Sequence, residues 1–187
     1  MLICKAFKFR IYPNNNQIDF IEKSFGCYRF IYNSMLAERK AAYEKYKNDR
    51  QSLWTYKYKT EKEYKQEFEW LKEVESSSLQ QARIDLSNAY TNFFKSISGK
   101  SNQSSAFPKF HKKGSKESFR IMMNNSNIKL DFEDRKIKIP KIGWVNYRDN
   151  REFDTSTICS ITVSKTKTNK YFVSILCKFD PFGSIRI

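Results

Sequence analysis

The period of the hydrophobic pattern changes twice along this chain, and that change restricts the fold more than any other feature. Lys5 to Tyr12 alternates, with Phe7, Phe9 and Ile11 on one side and Lys8, Arg10 and Tyr12 on the other. This is the signature of a half-buried strand with a basic outer face. Pro13 stops it, and from there to about residue 105 the apolar residues recur at helical steps of three and four. From Phe107 the period returns toward two, giving strands at Ser118–Met123, Ile128–Phe132, Arg135–Ile139, Trp144–Tyr147, Ile158–Lys165 and Tyr171–Phe179. One strand, then helices, then a run of strands predicts an α+β fold: a small OB-like β-barrel with a helical lobe inserted after its first strand. The division expected is 1–13 for the first strand, 14–105 for the helical lobe, 106–180 for the remaining barrel and 181–187 for a tail.

Within the helical stretch, Asn14 to Asn16 are expected to cap a first helix carrying Ile18, Ile21 and Phe25, with Gly26 ending it as a C′ residue. A second helix over Cys27–Lys47 would turn Phe30, Ile31, Leu36, Ala37 and Ala41 inward and Arg39, Lys40 and Lys45 outward. Two helices joined at a glycine follow the helix-turn-helix plan, although any helical hairpin does so. Residues 48 to 75 interleave aromatics with lysines, and Trp54 and Thr55 are expected at the start of a helix. In Ser76–Phe94 the stripe Leu79, Ala82, Leu86, Ala89, Tyr90 and Phe93 lies on one side, and the serines at 76, 77 and 78 offer cap oxygens. Ser76, Gln80, Arg83 and Ser87 share a second face of hydrogen-bonding groups of the kind that read base edges or sugar-phosphate.

Charge narrows the partner. Thirty-five Lys and Arg against 20 Asp and Glu leave a net charge of +15, which favours a polyanion, chiefly nucleic acid, although a membrane surface or plain solubility also accounts for such an excess. Aromatics among cations suit base stacking beside phosphate neutralisation. Lys8, Arg10, Arg83, Lys109, Lys112, Lys113, Lys116 and Arg120 are the candidate phosphate or RNA-backbone contacts. No apolar run approaches the ~20 residues a membrane span needs, and no leader is visible, so a cytoplasmic protein, nucleoid-associated when bound, is expected. The four cysteines stand apart without a CxxC pair and His111 is the single histidine, which argues against a zinc site or a histidine-based nucleophile.

Several segments in order resemble the amino-terminal half of TnpB (OrfB-type) proteins of bacterial insertion sequences, relatives of type V CRISPR effectors. They are KAFKFRIYPN at 5–14, FGCYRFIYN at 25–33, WLKEV at 70–74, LQQARIDLSNAYTNFF at 79–94, FPKF at 107–110, SFR at 118–120, IPKIGWV at 139–145 and ITVSKTKTNKYFVSILC at 161–177. The resemblance implies a wedge-like barrel with a recognition lobe, a guide RNA and double-stranded DNA as partners, and recognition of a short target-adjacent DNA motif. Motif readers carried over by position are Trp54, Thr55, Ser76, Gln80, Asn124 and Asn125; some relatives have lysine at the position of Ser76. The family's RuvC-type half, with its Asp–Glu–Asp carboxylates, magnesium ions and four-cysteine zinc element, is not in this sequence. The chain is therefore expected to hold no cofactor and to cut no DNA by itself. The alternatives are the recognition half of a split nuclease whose RuvC-type half is a separate chain, and a non-functional transposase remnant.

Overall fold

The computed structural model describes residues 3–115 and 117–179. The chain is α+β and divides into two compact units, residues 1–25 with 114–187, and residues 26–113. The expected tail at 181–187 and the candidate Lys116 lie outside the described residues.

The first unit is a curled, seven-stranded antiparallel half-barrel in the order β2-β6-β7-β1-β5-β4-β3. Its strands are β1 (Ile3–Tyr12), β2 (Glu117–Met122), β3 (Lys129–Asp131), β4 (Lys136–Ile139), β5 (Gly143–Arg148), β6 (Ile158–Lys165) and β7 (Tyr171–Phe179). The expected barrel is open, since no ladder joins β2 to β3 among the described residues. With only three residues, β3 has little ladder to offer. Alternation sorts the two faces. Phe9, Ile11, Phe119, Ile121, Ile137, Val145, Ile161, Val163, Val173 and Ile175 are buried on one side. Ile21 and Phe25 cover that side, Phe25 meeting Phe119 edge-on at 5.4 Å between centroids.

The first helix, α1, spans Asn15–Tyr46. Asn14 caps it reciprocally with Gln17: the Gln17 N–H donates to Asn14 Oδ1 and the Asn14 N–H to Gln17 Oε1, both at 3.0 Å. Gln17 Nε2 also donates to the Trp144 carbonyl at 2.8 Å, tying the helix start to β5. Gly26 does not end this helix, contrary to the sequence expectation. It lacks a positive φ, and an added Cβ would meet nothing within 4 Å. A single glycine costs a helix about 1 kcal/mol, less than the apolar burial of Phe25 and Cys27 on either side of it. The helical phase also corrects the inward set: Ala37 and Ala41 are exposed, whereas Met35 and Ala42 are buried.

The second unit continues with α2 (Arg50–Thr55), α3 (Glu61–Glu67), a 3-10 turn at Glu69–Glu73 and α4 (Ser76–Ile97). Ile31, Tyr32, Met35 and Leu36 pack with Tyr64, Leu71, Val74, Leu79, Ala82 and Leu86 as one core. The Leu79–Leu86 stripe therefore faces inward as its spacing requires. The serines do not supply the cap. Glu75 is the N-cap residue of α4, and Ser78 lies within the first turn, its hydroxyl donating back to the Glu75 carbonyl at 2.6 Å. Asp49 caps α2, and Thr60 with Glu63 forms a capping box on α3.

Candidate nucleic-acid interface

In the sheet unit the outward positions of neighbouring strands line up into rows, and the register fixes their members. One row runs Arg120, Thr162, Ser174, Lys8 across β2, β6, β7 and β1. The next runs Ser118, Ser164, Phe172, Arg10, Arg148 and reaches β5. At about 4.8 Å between strands, five members span roughly 19 Å. Among the described residues the only carboxylate at an outward strand position is Asp131, on edge strand β3. The Lys8 ammonium lies 4.8 Å from the Phe172 ring centre and the Arg10 guanidinium 4.9 Å from that of Tyr12. This face can offer cations, hydroxyl donors and one aromatic ring to a phosphate backbone and its bases.

Asn124 and Asn125 are exposed in the turn after β2. Asn125 and Ser126 take left-handed backbone angles, φ 47° and 55°, and Asn127 Oδ1 accepts the Asn124 N–H at 2.9 Å. The turn is braced by Asn127, so the amides of the two preceding asparagines face solvent.

The helical unit carries the other candidates. Ser76, Gln80 and Arg83 are exposed on α4 as the periodicity requires, and α3 runs beside them. Lys65 donates to the Ser76 hydroxyl at 2.6 Å, and Arg83 pairs with Glu61 at 2.8 Å. Gln80 is exposed between these two engaged neighbours. Ser87, the fourth member of the face, accepts from Arg39 at 3.0 Å. Trp54 is 88% exposed, so its indole contributes nothing to the core. It and Thr55 close α2 rather than opening a helix, because Asp49 sets the start five residues earlier. The Thr55 hydroxyl donates back to the Gln51 carbonyl at 3.0 Å. Lys109, Lys112 and Lys113 are exposed in the segment that leads away from α4.

That segment is latched at His111. The Asn33 amide takes the His111 N–H at 2.8 Å and donates to the His111 carbonyl at 3.0 Å. The imidazole stacks on Tyr32 with centroids 3.8 Å apart. Burial lowers the His111 pKa, against an opposing pull from Asp85. In the sheet unit, Lys165 bonds Glu22 and Glu117, each at 2.8 Å, and Tyr171 donates to Glu22 at 2.8 Å. Burial would depress the Lys165 pKa, but the hydrogen bonds to the two glutamates outweigh it and raise it. Burial and the bond to Glu22 push Tyr171 up to about 12. Both groups are engaged within the sheet unit.

Among the described residues no group of three or more His, Cys, Asp and Glu side chains is placed to hold a metal ion. Cys4 is exposed, Cys159 half-buried, and Cys27 and Cys177 buried, each a free thiol. No described helix is long and apolar enough to cross a membrane. Arg148 was missed by sequence reasoning. It stands opposite Arg10 through the β1–β5 register, a pairing between distant segments that local alternation does not announce.

The model of the OrfB helix-turn-helix domain matches residues 1–48, which here fold as β1 and α1. Two proteins named "Putative RNA-guided DNA endonuclease" align over most of the chain. InsQ of Escherichia coli (strain K12) is 34% identical over 175 residues, 91% of this chain and 40% of InsQ. Its counterpart from Streptomyces pristinaespiralis is 28% identical over 178 residues, 93% of this chain and 41% of that protein. The "Virulence protein VsdF" of Salmonella dublin is 33% identical over 97 residues, 48% of this chain and 82% of VsdF. Over most of its length the chain is homologous to TnpB/OrfB-type proteins, with the OrfB helix-turn-helix match at its start. It corresponds to the amino-terminal portion, spanning about two fifths of the length of the two endonuclease-named relatives.

Proposed function

We propose that this chain is a nucleic-acid-binding module of the RNA-guided type, holding a guide RNA and recognising a short DNA motif beside the target. The observation that carries this reading is the outward sheet face, where Lys8, Arg10, Arg120 and Arg148 stand in rows free of carboxylates up to edge strand β3. Such a face neutralises phosphates without repelling them. In this reading the helical unit is the recognition lobe inserted after the first strand. Trp54, Thr55, Ser76 and Gln80 in that lobe, and Asn124 and Asn125 in the sheet unit, meet base edges. Cleavage, with its magnesium and zinc, belongs to a RuvC-type portion outside these residues, whether on the same or a separate chain.

The test is binding of the purified chain to RNA transcribed from its own locus, against scrambled RNA of equal length, across a salt series. Tighter and more salt-resistant binding to the cognate RNA is expected. A Lys8→Gln/Arg10→Gln chain should lose about 0.7 of logarithmic salt slope for each backbone contact removed. Equal binding to both RNAs, vanishing together as salt rises, would leave only the +15 charge at work and favour the remnant reading.

A further inference from the structure

The helical unit holds a second feature, lined by none of the candidate site residues. A cleft of about 760 Å³ opens between α1, α4 and the segment after α4, and its lining includes Arg39, Lys40, Tyr58, Tyr90, Phe94 and Phe107. That volume lies within the ~300–1,000 Å³ of small-ligand sites. Tyr90 packs against the helical core, whereas Phe94 is 60% and Phe107 40% exposed. Phe107 meets Tyr90 edge-on at 5.4 Å and Phe93 at 5.1 Å, leaving a ridge of aromatic faces and edges. The Arg39 guanidinium sits 5.0 Å from the Tyr90 ring centre and 5.5 Å from that of Tyr58. The Lys40 ammonium lies 5.6 Å from Phe107 and 4.7 Å from Phe110. The one acid in the lining, Glu44, is paired with Lys47 at 2.9 Å.

We infer that this cleft takes an unpaired nucleotide, its base stacked among Tyr90, Phe94 and Phe107 and its phosphate met by Arg39 and Lys40. Charge complementarity selects that occupant. An apolar helix laid here would cover two cations with no anion to meet them, a costly desolvation. A nucleotide brings the anion and the flat ring together. A duplex keeps its base faces stacked and cannot present one without flipping it out. The inference rests on the nucleic-acid reading above and refines it, giving this unit a contact for unpaired rather than duplex nucleic acid.

The test uses the whole chain with single-stranded RNA and single-stranded DNA, each carrying one 2-aminopurine, and the same sequences as blunt duplexes. Quenching of 2-aminopurine is expected on single strands and not on duplexes; the RNA and DNA arms show which strand supplies the nucleotide. Phe94→Ala should weaken single-strand binding about 5- to 150-fold, the range measured for one stacked base, and leave duplex binding unchanged. Phe94→Leu keeps apolar volume without the ring, and it should lose the quench as fully. Unchanged affinity and quench in both variants, with duplex binding intact, would overturn the cleft assignment while sparing the nucleic-acid reading. Absence of binding to every oligonucleotide would overturn both. A change in sedimentation mass on Phe94→Ala, with single-strand binding unaltered, would give the cleft to a second copy instead.

Discussion

Replacing Gly26 by alanine tests the least expected element of the fold, the uninterrupted helix from Asn15 to Tyr46. The new methyl would meet no atom within 4 Å, so neither overpacking nor a lost contact offsets the change. What remains is backbone entropy and helix propensity, which favour alanine by about 0.5–1 kcal/mol. For a chain of this size that raises Tm by about 1–4 °C. Thermal melts followed by circular dichroism at 222 nm, with a urea midpoint as a second readout, would measure it. Gly99→Ala is the internal control, because its φ of +68° is left-handed and an L side chain there costs roughly 1–2 kcal/mol. The two substitutions should move Tm in opposite directions. If Gly26 instead closed one helix and opened another as a C′ residue, Gly26→Ala would behave like Gly99→Ala. A fall in Tm at position 26 would therefore refute the continuous helix.

Three further outcomes follow from the packing and the charges. His111 is the only histidine and its folded pKa lies below the ordinary 6.5, so its stabilising effect is full above that pH and is lost as pH falls through it toward the folded value. Tm should drop on acidification from about pH 7.5 to 5.5, and His111→Phe, which keeps the stack on Tyr32, should flatten that part of the profile. Lys165→Met should cost about 3 kcal/mol in urea unfolding, because it leaves the largely buried Glu117 carboxylate without its cation; a loss under about 1 kcal/mol would mean that water replaces the ammonium. Leu79→Ala should cost about 2–5 kcal/mol, the range for a fully buried leucine, and a midpoint shift within experimental error would contradict its place in the helical core.

Strands were the most legible part of the sequence. Ile158–Lys165 and Tyr171–Phe179 have the bounds that alternation assigns them, because one face of each is buried, although the register of the first shifts at a bulge between Ile158 and Ser160. Helix faces were legible wherever a stripe was long, as in Leu79–Ala82–Leu86. Helix ends were not. A glycine at 26 and three serines at 76–78 are strong local signals, yet each is worth about 1 kcal/mol and tertiary packing outweighs it. The candidate site divides the same way. The exposure of Lys8, Arg10 and Gln80 followed from local period, whereas the Arg148 partner of Arg10 and the Phe107 wall of the cleft depend on contacts between distant segments.

The register that sets Arg10 opposite Arg148, and Lys129 opposite Lys138, places like charges in direct cross-strand pairs. Each such pair works against the sheet that displays it, by a few tenths to about 1 kcal/mol. An anion lying between the members converts that repulsion into attraction, so a bound polyanion acts as a missing piece of the sheet and draws the folding equilibrium toward the native form. Such a surface is never indifferent to its surroundings. With an anion seated between the members of each pair the half-barrel would be at its most stable, and removing that anion would cost it part of its own fold.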